Sequence, residues 1–220
     1  MNRFLGLMLS VAVLITVSGC AAGRSTLNIE VPTNTRVPGV DKQVFIRSIA
    51  DMRDFQDKPA SPEIPSLGGG IARADEQTRL RAIGRKRNAY GRAMGDILLP
   101  EDKDVSSQVY AMLRNALFSL GYDVTDSSVD AREDAVSMDV IIDKYWGWFT
   151  PGFWVVSVSA EMATALTVNL PEREEVAFTI EAADVNRCSA ATSANWKKTF
   201  NRATTQYIAE AKKKLAEILE

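Results

Sequence analysis

The chain has 220 residues, 26 Lys and Arg against 28 Asp and Glu, a formal net charge of −2, no histidine and two cysteines. The lack of histidine excludes Ser-His-Asp and Cys-His catalysis, the common zinc sites and the usual proton shuttle near neutral pH. The mild net charge argues neither for nor against a charged partner.

At the start, Met1-Asn2-Arg3 precedes an almost unbroken apolar run over residues 4–17, which closes on Val17-Ser18-Gly19-Cys20. One basic residue, a short apolar run and a small-residue cleavage site make a secretory signal. The run is too short to span a bilayer convincingly. The V-S-G-C ending resembles the lipobox of bacterial lipoproteins. That resemblance implies lipid on the Cys20 thiol, a cut just before it and acylation of the new amine. The alternative is an ordinary secreted protein with Cys20 near its cut site. Three acyl chains would anchor firmly, each buried methylene contributing about 0.8 kcal/mol. Ala21 stands where an inner-membrane retention signal would have Asp, so resemblance to Gram-negative lipoproteins implies the outer membrane, facing the periplasm. In a Gram-positive source the anchor would sit in the plasma membrane. That compartment excludes nucleic acid as a partner. Removal of residues 1–19 takes away one charge, Arg3, and moves the net charge to −3. About 200 residues remain, enough for one core. With Cys20 lipidated, Cys188 has no internal disulfide partner and is expected to be a buried, inert thiol, with intermolecular pairing as the alternative.

Residues 20–36 read as the lipidated cysteine and a tether, with a single domain over 37–220. Fully extended, sixteen residues reach roughly 55 Å. Leu27, Ile29 and Val31 alternate with Asn28 and Glu30, a pattern for a stretch of edge strand. The first strand is expected over residues 43–49, before Asp51-Met52-Arg53. A long excursion over 54–103 follows. Pro59, Pro62, Pro65 and Gly68-Gly69-Gly70 mark irregular chain. So long a loop is unusual inside a domain, and a hairpin over 83–99, turning near Asn88-Tyr90-Gly91, is expected within it.

Val105, Val109, Met112, Leu113, Ala116, Leu117 and Leu120 recur at helical spacing and predict a helix over 105–120. Asp102 or Asp104 suits its N-cap and Gly121 its end. Three alternating segments predict strands: one around Val136 to Asp143, one around Val156 to Val168, and one around Val176 to Ala182. Their short connections predict antiparallel neighbours. Trp196, Phe200, Ala203, Tyr207, Ala211, Leu215 and Ile218 form the apolar stripe of a last helix over 195–219. The expected fold class is α+β: an antiparallel sheet of four to five strands with two helices packed on one face.

Two features stand out as candidate sites. Residues 145–154 hold three of the four tryptophans and connect two predicted strands, with Pro151-Gly152 suited to a type II turn. Trp146, Trp148, Phe149, Phe153 and Trp154 are candidates for contact with a protein partner or a membrane interface, because such rings are favoured in both. The other reading is that alternate rings fold inward and cap the sheet. The second feature is a basic run in the excursion, Arg79, Arg81, Arg85, Lys86 and Arg87, flanked by Arg73 and Arg92. Arginine forks suit phosphate and carboxylate groups; a solvated loop is the alternative. The acids of residues 123–134 fail the spacing of a calcium loop and read as a solvated turn. No metal, cofactor or catalytic residue is expected.

The order of lipobox, strand ending in Asp51-x-Arg53, Ile83-Gly84, Asp96-Ile97-Leu98, and a helix with Leu113-x-x-Ala116-Leu117 and Leu120-Gly121-Tyr122 resembles the YajG-like family of small bacterial lipoproteins. The insertion over 55–81 and the aromatic hairpin depart from its shorter members. The order of strands and helices also looks like the α+β domains of periplasmic assembly factors, such as the amino-terminal domain of TolB. What these resemblances imply is a non-catalytic interaction module, bound to the outer membrane through lipid on Cys20 and contacting an envelope protein. The alternative is a carrier of lipid or glycan held between the sheet and the excursion.

Overall fold

The computed structural model describes residues 23–38, 41–88, 90, 92–171 and 173–219. The signal segment and Cys20 lie outside the described residues. The chain forms β1 (Ser25–Thr26), β2 (Gln43–Asp51), a 3-10 turn (Ile71–Arg73), α1 (Glu76–Arg81), β3 (Ala82–Arg87), β4 (Ala93–Leu98), α2 (Val105–Ser119), β5 (Asp123–Thr125), β6 (Val136–Thr150), β7 (Val156–Asn169), β8 (Val176–Cys188) and α3 (Ser193–Leu219).

The α+β class holds, but the sheet is larger than expected and only partly antiparallel. Among the described residues, eight strands join it. β6–β7–β8 is the expected antiparallel meander, and β3–β4 is the expected hairpin. β2 pairs with β6 in parallel, as do β5 with β2, β3 with β6 and β1 with β4. The reason is connection length: β2 reaches β6 through the excursion and α2, long enough to bring the chain back in the same direction.

β6 organises the molecule. One long edge is taken by β7. The other is shared, with β2 along residues 136–142 and β3 at Gly147. A register shift lies between Ile142 and Lys144. Before it, Val136, Met138, Val140 and Ile142 are buried; after it, Tyr145, Gly147 and Phe149 are. The extra residue thus keeps the same face inward after a break in the alternation.

Helices α2 and α3 cover that face. Tyr145 stacks on Phe200 with ring centroids 5.8 Å apart. A Cβ on Gly147 would lie 2.8 Å from the Phe200 ring and 3.0 Å from Trp196, so only glycine lets α3 approach here. α2 begins in a capping box, in which the Asp104 carboxylate accepts from the Ser107 amide at 2.7 Å and the Asp104 amide donates back to the Ser107 hydroxyl. It ends where Gly121 turns to φ 91° and the Tyr122 amide reaches the Leu117 carbonyl. The Tyr122 hydroxyl donates to the Leu219 carbonyl, joining the ends of the two helices.

The opposite face of β6 carries a second, smaller core. Trp146 packs with Leu67, Ala82 and Leu98, flanked by Phe55, Ala74 and Trp148. The excursion therefore folds over the sheet. Its α1 is capped by Asp75, whose carboxylate accepts from the Thr78 amide and hydroxyl.

The expectation of a tether over residues 20–36 does not hold for the part described. Gly23 donates its amide to the Met94 carbonyl at 2.7 Å, Leu27 donates to Leu98, and Leu27 and Ile29 are buried in the main core. Asn115 on α2 bonds the Pro32 carbonyl and Asn34. The apolar residues that suggested an edge strand hold this segment down: β1 covers two residues, and the rest is irregular chain lying on the body.

Candidate functional site

The Asp51-x-Arg53 pair fills the place where β2 and β3 meet on the shared edge of β6. The Arg53 side chain is fully buried and forks onto the Asp51 carboxylate at 2.7 and 2.8 Å. Its remaining donors reach the carbonyls of Ala82, Tyr145 (3.1 Å), Arg79 (3.1 Å) and Leu80 (3.4 Å). These carbonyls belong to the end of α1, the start of β3 and the middle of β6. A guanidinium thus supplies donors where no strand can, because β2 has ended and β3 has not yet paired with β6. Every donor of the fork is turned inward, so the pair positions the backbone and presents nothing to a ligand.

The five aromatic candidates part company. Trp146 is fully buried and donates its indole N–H to the Pro62 carbonyl at 3.2 Å. Phe149 is buried on the helix side, and Trp148 is half-buried beside the Lys144 ammonium. Only Phe153 and Trp154 are exposed, at 89% and 87%, their rings edge to face at 4.7 Å. β6 runs through most of the aromatic segment instead of turning within it, and strand alternation sends its rings to two cores. The turn is confined to residues 151–155. Gly152 does not take the left-handed backbone of a type II turn. Glycine is needed for space, since a Cβ would lie 2.2 Å from the Val155 carbonyl oxygen.

The basic run is likewise divided. Arg79 is exposed on α1. Arg81 donates to the Leu99 carbonyl at 2.8 and 3.0 Å. Arg85 is mostly buried, 3.8 Å from Asp96, a buried carboxylate that also accepts from the Gly68 amide and lies 3.7 Å from Arg24. Lys86 and Arg87 lie farther along β3, and both are half-buried. Burial, with the nearby charge of Arg85, lowers the Arg87 pKa.

What the topology brings together is one end of the sheet. The last residues of β3 and β6 and the first of β4 and β7 lie there, because β3 runs parallel to β6 and antiparallel to β4. The β3–β4 turn is pinned by the Asn88 side chain, which accepts from the amides of Tyr90 and Arg92. Tyr90 is 95% exposed. The same end of the sheet carries Phe153 and Trp154, Gly23 on Met94, and the end of β8 with Arg187. A groove of about 280 Å³ at this end is lined by Lys86, Arg87, Met94, Phe149 and the first residues of α3. Tyr90, Arg24 and Arg187 were not among the sequence candidates, being scattered over three segments, and Arg92 was read only as a flank of the basic run. The half-exposed signal was Tyr90 itself, an aromatic residue in a predicted turn. Cys188 is a free, half-buried thiol at the end of β8. Among the described residues, no group of three or more Cys, Asp or Glu side chains lies close enough to hold a metal ion.

No family model matches the chain, and no curated protein matches it. Among solved structures, a Xanthomonas campestris protein of the DUF330 family aligns over 89% of this chain and 95% of its own, at 14% identity and a TM-score of 0.41. A homologue of a neuraminyllactose-binding haemagglutinin from Helicobacter pylori aligns over 88% and 96%, at 10% identity and a TM-score of 0.38. A minor lipoprotein from Acinetobacter baumannii aligns over 52% and 84%, at 11% identity and a TM-score of 0.34. None of these values reaches the level at which likeness of fold bears on role.

Proposed function

We propose that this chain is a bacterial envelope lipoprotein, a non-catalytic module held at the periplasmic side of the outer membrane by lipid on Cys20 and contacting an envelope protein partner. The observation that carries the anchor is the Val17-Ser18-Gly19-Cys20 sequence set three residues before a backbone already fixed in the fold, Gly23 on Met94. Lipidation would then confine a rigid body to the membrane surface and raise its effective concentration there. The rival role, a carrier with cargo between sheet and excursion, draws no support from this geometry. That space is filled by Trp146, Leu67, Ala82 and Leu98.

The experiment is mass spectrometry of the mature amino-terminal peptide, with palmitate labelling of wild type and Cys20→Ser, followed by separation of inner and outer membranes. Acylated Cys20 at the new terminus, outer-membrane recovery and loss of label in Cys20→Ser are expected. An unacylated wild-type chain recovered in the soluble periplasmic fraction would refute the anchor.

A further inference from the structure

We propose that the end of the molecule carrying Tyr90, Phe153 and Trp154 is a membrane-docking face, which seats these rings among the headgroups of an anionic phospholipid surface and sets Arg24, Lys86, Arg92 and Arg187 against its phosphates. The proposal rests on the anchor at Cys20 and adds an orientation to it.

Three observations meet at this end. The first is where the chain leaves the body. β1 runs parallel to β4 and Gly23 bonds Met94 near the start of β4, so Gly23 lies at the end of the sheet that carries the β3–β4 turn. From Gly23 to Cys20 the link is three residues, at most about 11 Å when fully extended. An anchored Cys20 therefore holds this end, and no other, against the lipid.

The second is charge. The segments 23–26, 86–94, 150–157 and 187–193 contain Arg24, Lys86, Arg87, Arg92 and Arg187 and not one Asp or Glu, in a chain whose net charge is −2. Asp96 faces Arg24 and Arg85 and is buried below the surface, while Asp75, exposed at the start of α1, also feels the Arg24 charge. The far end is the reverse: the loops over 126–135 and 170–175 hold seven acids against Arg132 and Arg173. β6 separates the two ends by 15 residues, roughly 50 Å at strand rise. A basic patch beside an acyl anchor is the combination that turns reversible lipid contact into stable seating on an anionic surface.

The third is the exposed rings. Phe153 and Trp154 pack on one another at the tip of the β6–β7 hairpin and are otherwise in water, and Tyr90 projects from the neighbouring turn. Tryptophan and tyrosine are favoured at the boundary between headgroups and acyl chains, where the ring is covered and its polar edge stays hydrated. A protein could cover the same rings. The short link to the anchor and the basic excess of these segments favour the lipid surface.

The test uses the mature lipidated chain from a bacterial host, reconstituted in phosphatidylethanolamine vesicles that contain brominated phosphatidylglycerol. Trp146 and Trp196 are buried and Trp148 is half-buried, and all three are common to both chains, so the difference between wild type and Trp154→Phe isolates the emission of Trp154. Bromolipid is expected to quench that emission, and acrylamide to reach it several-fold less well than in Arg92→Gln/Arg187→Gln at raised salt. The buried tryptophan emission, unchanged across variants, checks the fold. If Cys20 is acylated but Trp154 is open to acrylamide and untouched by bromolipid, the docking face is overturned and the anchor stands. If Cys20 is not acylated, the anchor fails, and sedimentation of the unlipidated chain with the same vesicles decides the docking face. Binding lost in Phe153→Ser/Trp154→Ser supports it; no binding overturns it.

Discussion

Arg53 lies between two strands that compete for one edge of β6, and its guanidinium holds four carbonyls and a carboxylate at once. Replacing it by methionine keeps much of the volume but strands Asp51 as a buried, unpaired charge. A loss of about 3–5 kcal/mol is expected in denaturant unfolding, the range for breaking one half of a buried pair. Arg53→Lys keeps the charge and loses the fork, and is expected to recover only part of that stability. Asp139 shows the weaker, surface case. A hydrogen bond from Arg47 holds its carboxyl below the usual 3.8, helped by the Ser48 hydroxyl and the Arg47 charge and opposed by partial burial. A carboxyl with a depressed folded pKa stabilises fully above its unfolded value and loses that contribution as pH falls through the folded one. Melting temperature is therefore expected to fall below about pH 4, with a shallower acid slope in Asp139→Asn. The pair is half in water, so the neutral-pH cost of that variant is at most about 1 kcal/mol.

Among the elements, β6 decides most. Its register shift at residue 143 turns the aromatic segment so that Tyr145 and Phe149 face the helices and Trp146 faces the excursion. Trp146→Ala should cost about 3–5 kcal/mol, as large buried truncations do, and loosen the excursion. Trp154→Ala should leave the unfolding midpoint within about 0.5 kcal/mol of wild type, as exposed substitutions do. Chemical denaturation of both variants separates a structural ring from a surface one. β1 depends on a different contact. A Cβ on Gly95, whose φ is 150°, would lie 2.0 Å from the Gly23 carbonyl oxygen. Gly95→Ala is expected to lift the amino-terminal segment off β4, read as faster amide hydrogen exchange at Gly23 and Leu27 while the β6–β7 amides stay protected. Helices α2 and α3, the meander and the β3–β4 hairpin were legible because local periodicity and turn chemistry announce them, whereas the six-residue α1 was not expected. β1, β5 and the parallel pairings were not, because two or three residues show no period and pairing across the excursion leaves no local mark.

At the scale of the whole molecule, the distribution of charge runs along the sheet, basic near the amino-terminal exit and acidic at the far loops. With residues from Gly23 onward fixed to the body, the expected reach of roughly 55 Å shrinks to the few residues between Cys20 and Gly23. A domain on a long leash samples every orientation, whereas one anchored at Cys20 would present a constant end to its surface. The composition and order of residues by themselves determined the secretory signal pattern, the α+β class, the main helices and the absence of any histidine chemistry, all properties of local sequence. Only the tertiary structure decided which aromatic rings are exposed, that Arg53 bridges two strands, and that basic residues from distant segments meet at one end. Those depend on strand register and crossing direction, which long-range backbone pairing sets and no local pattern encodes.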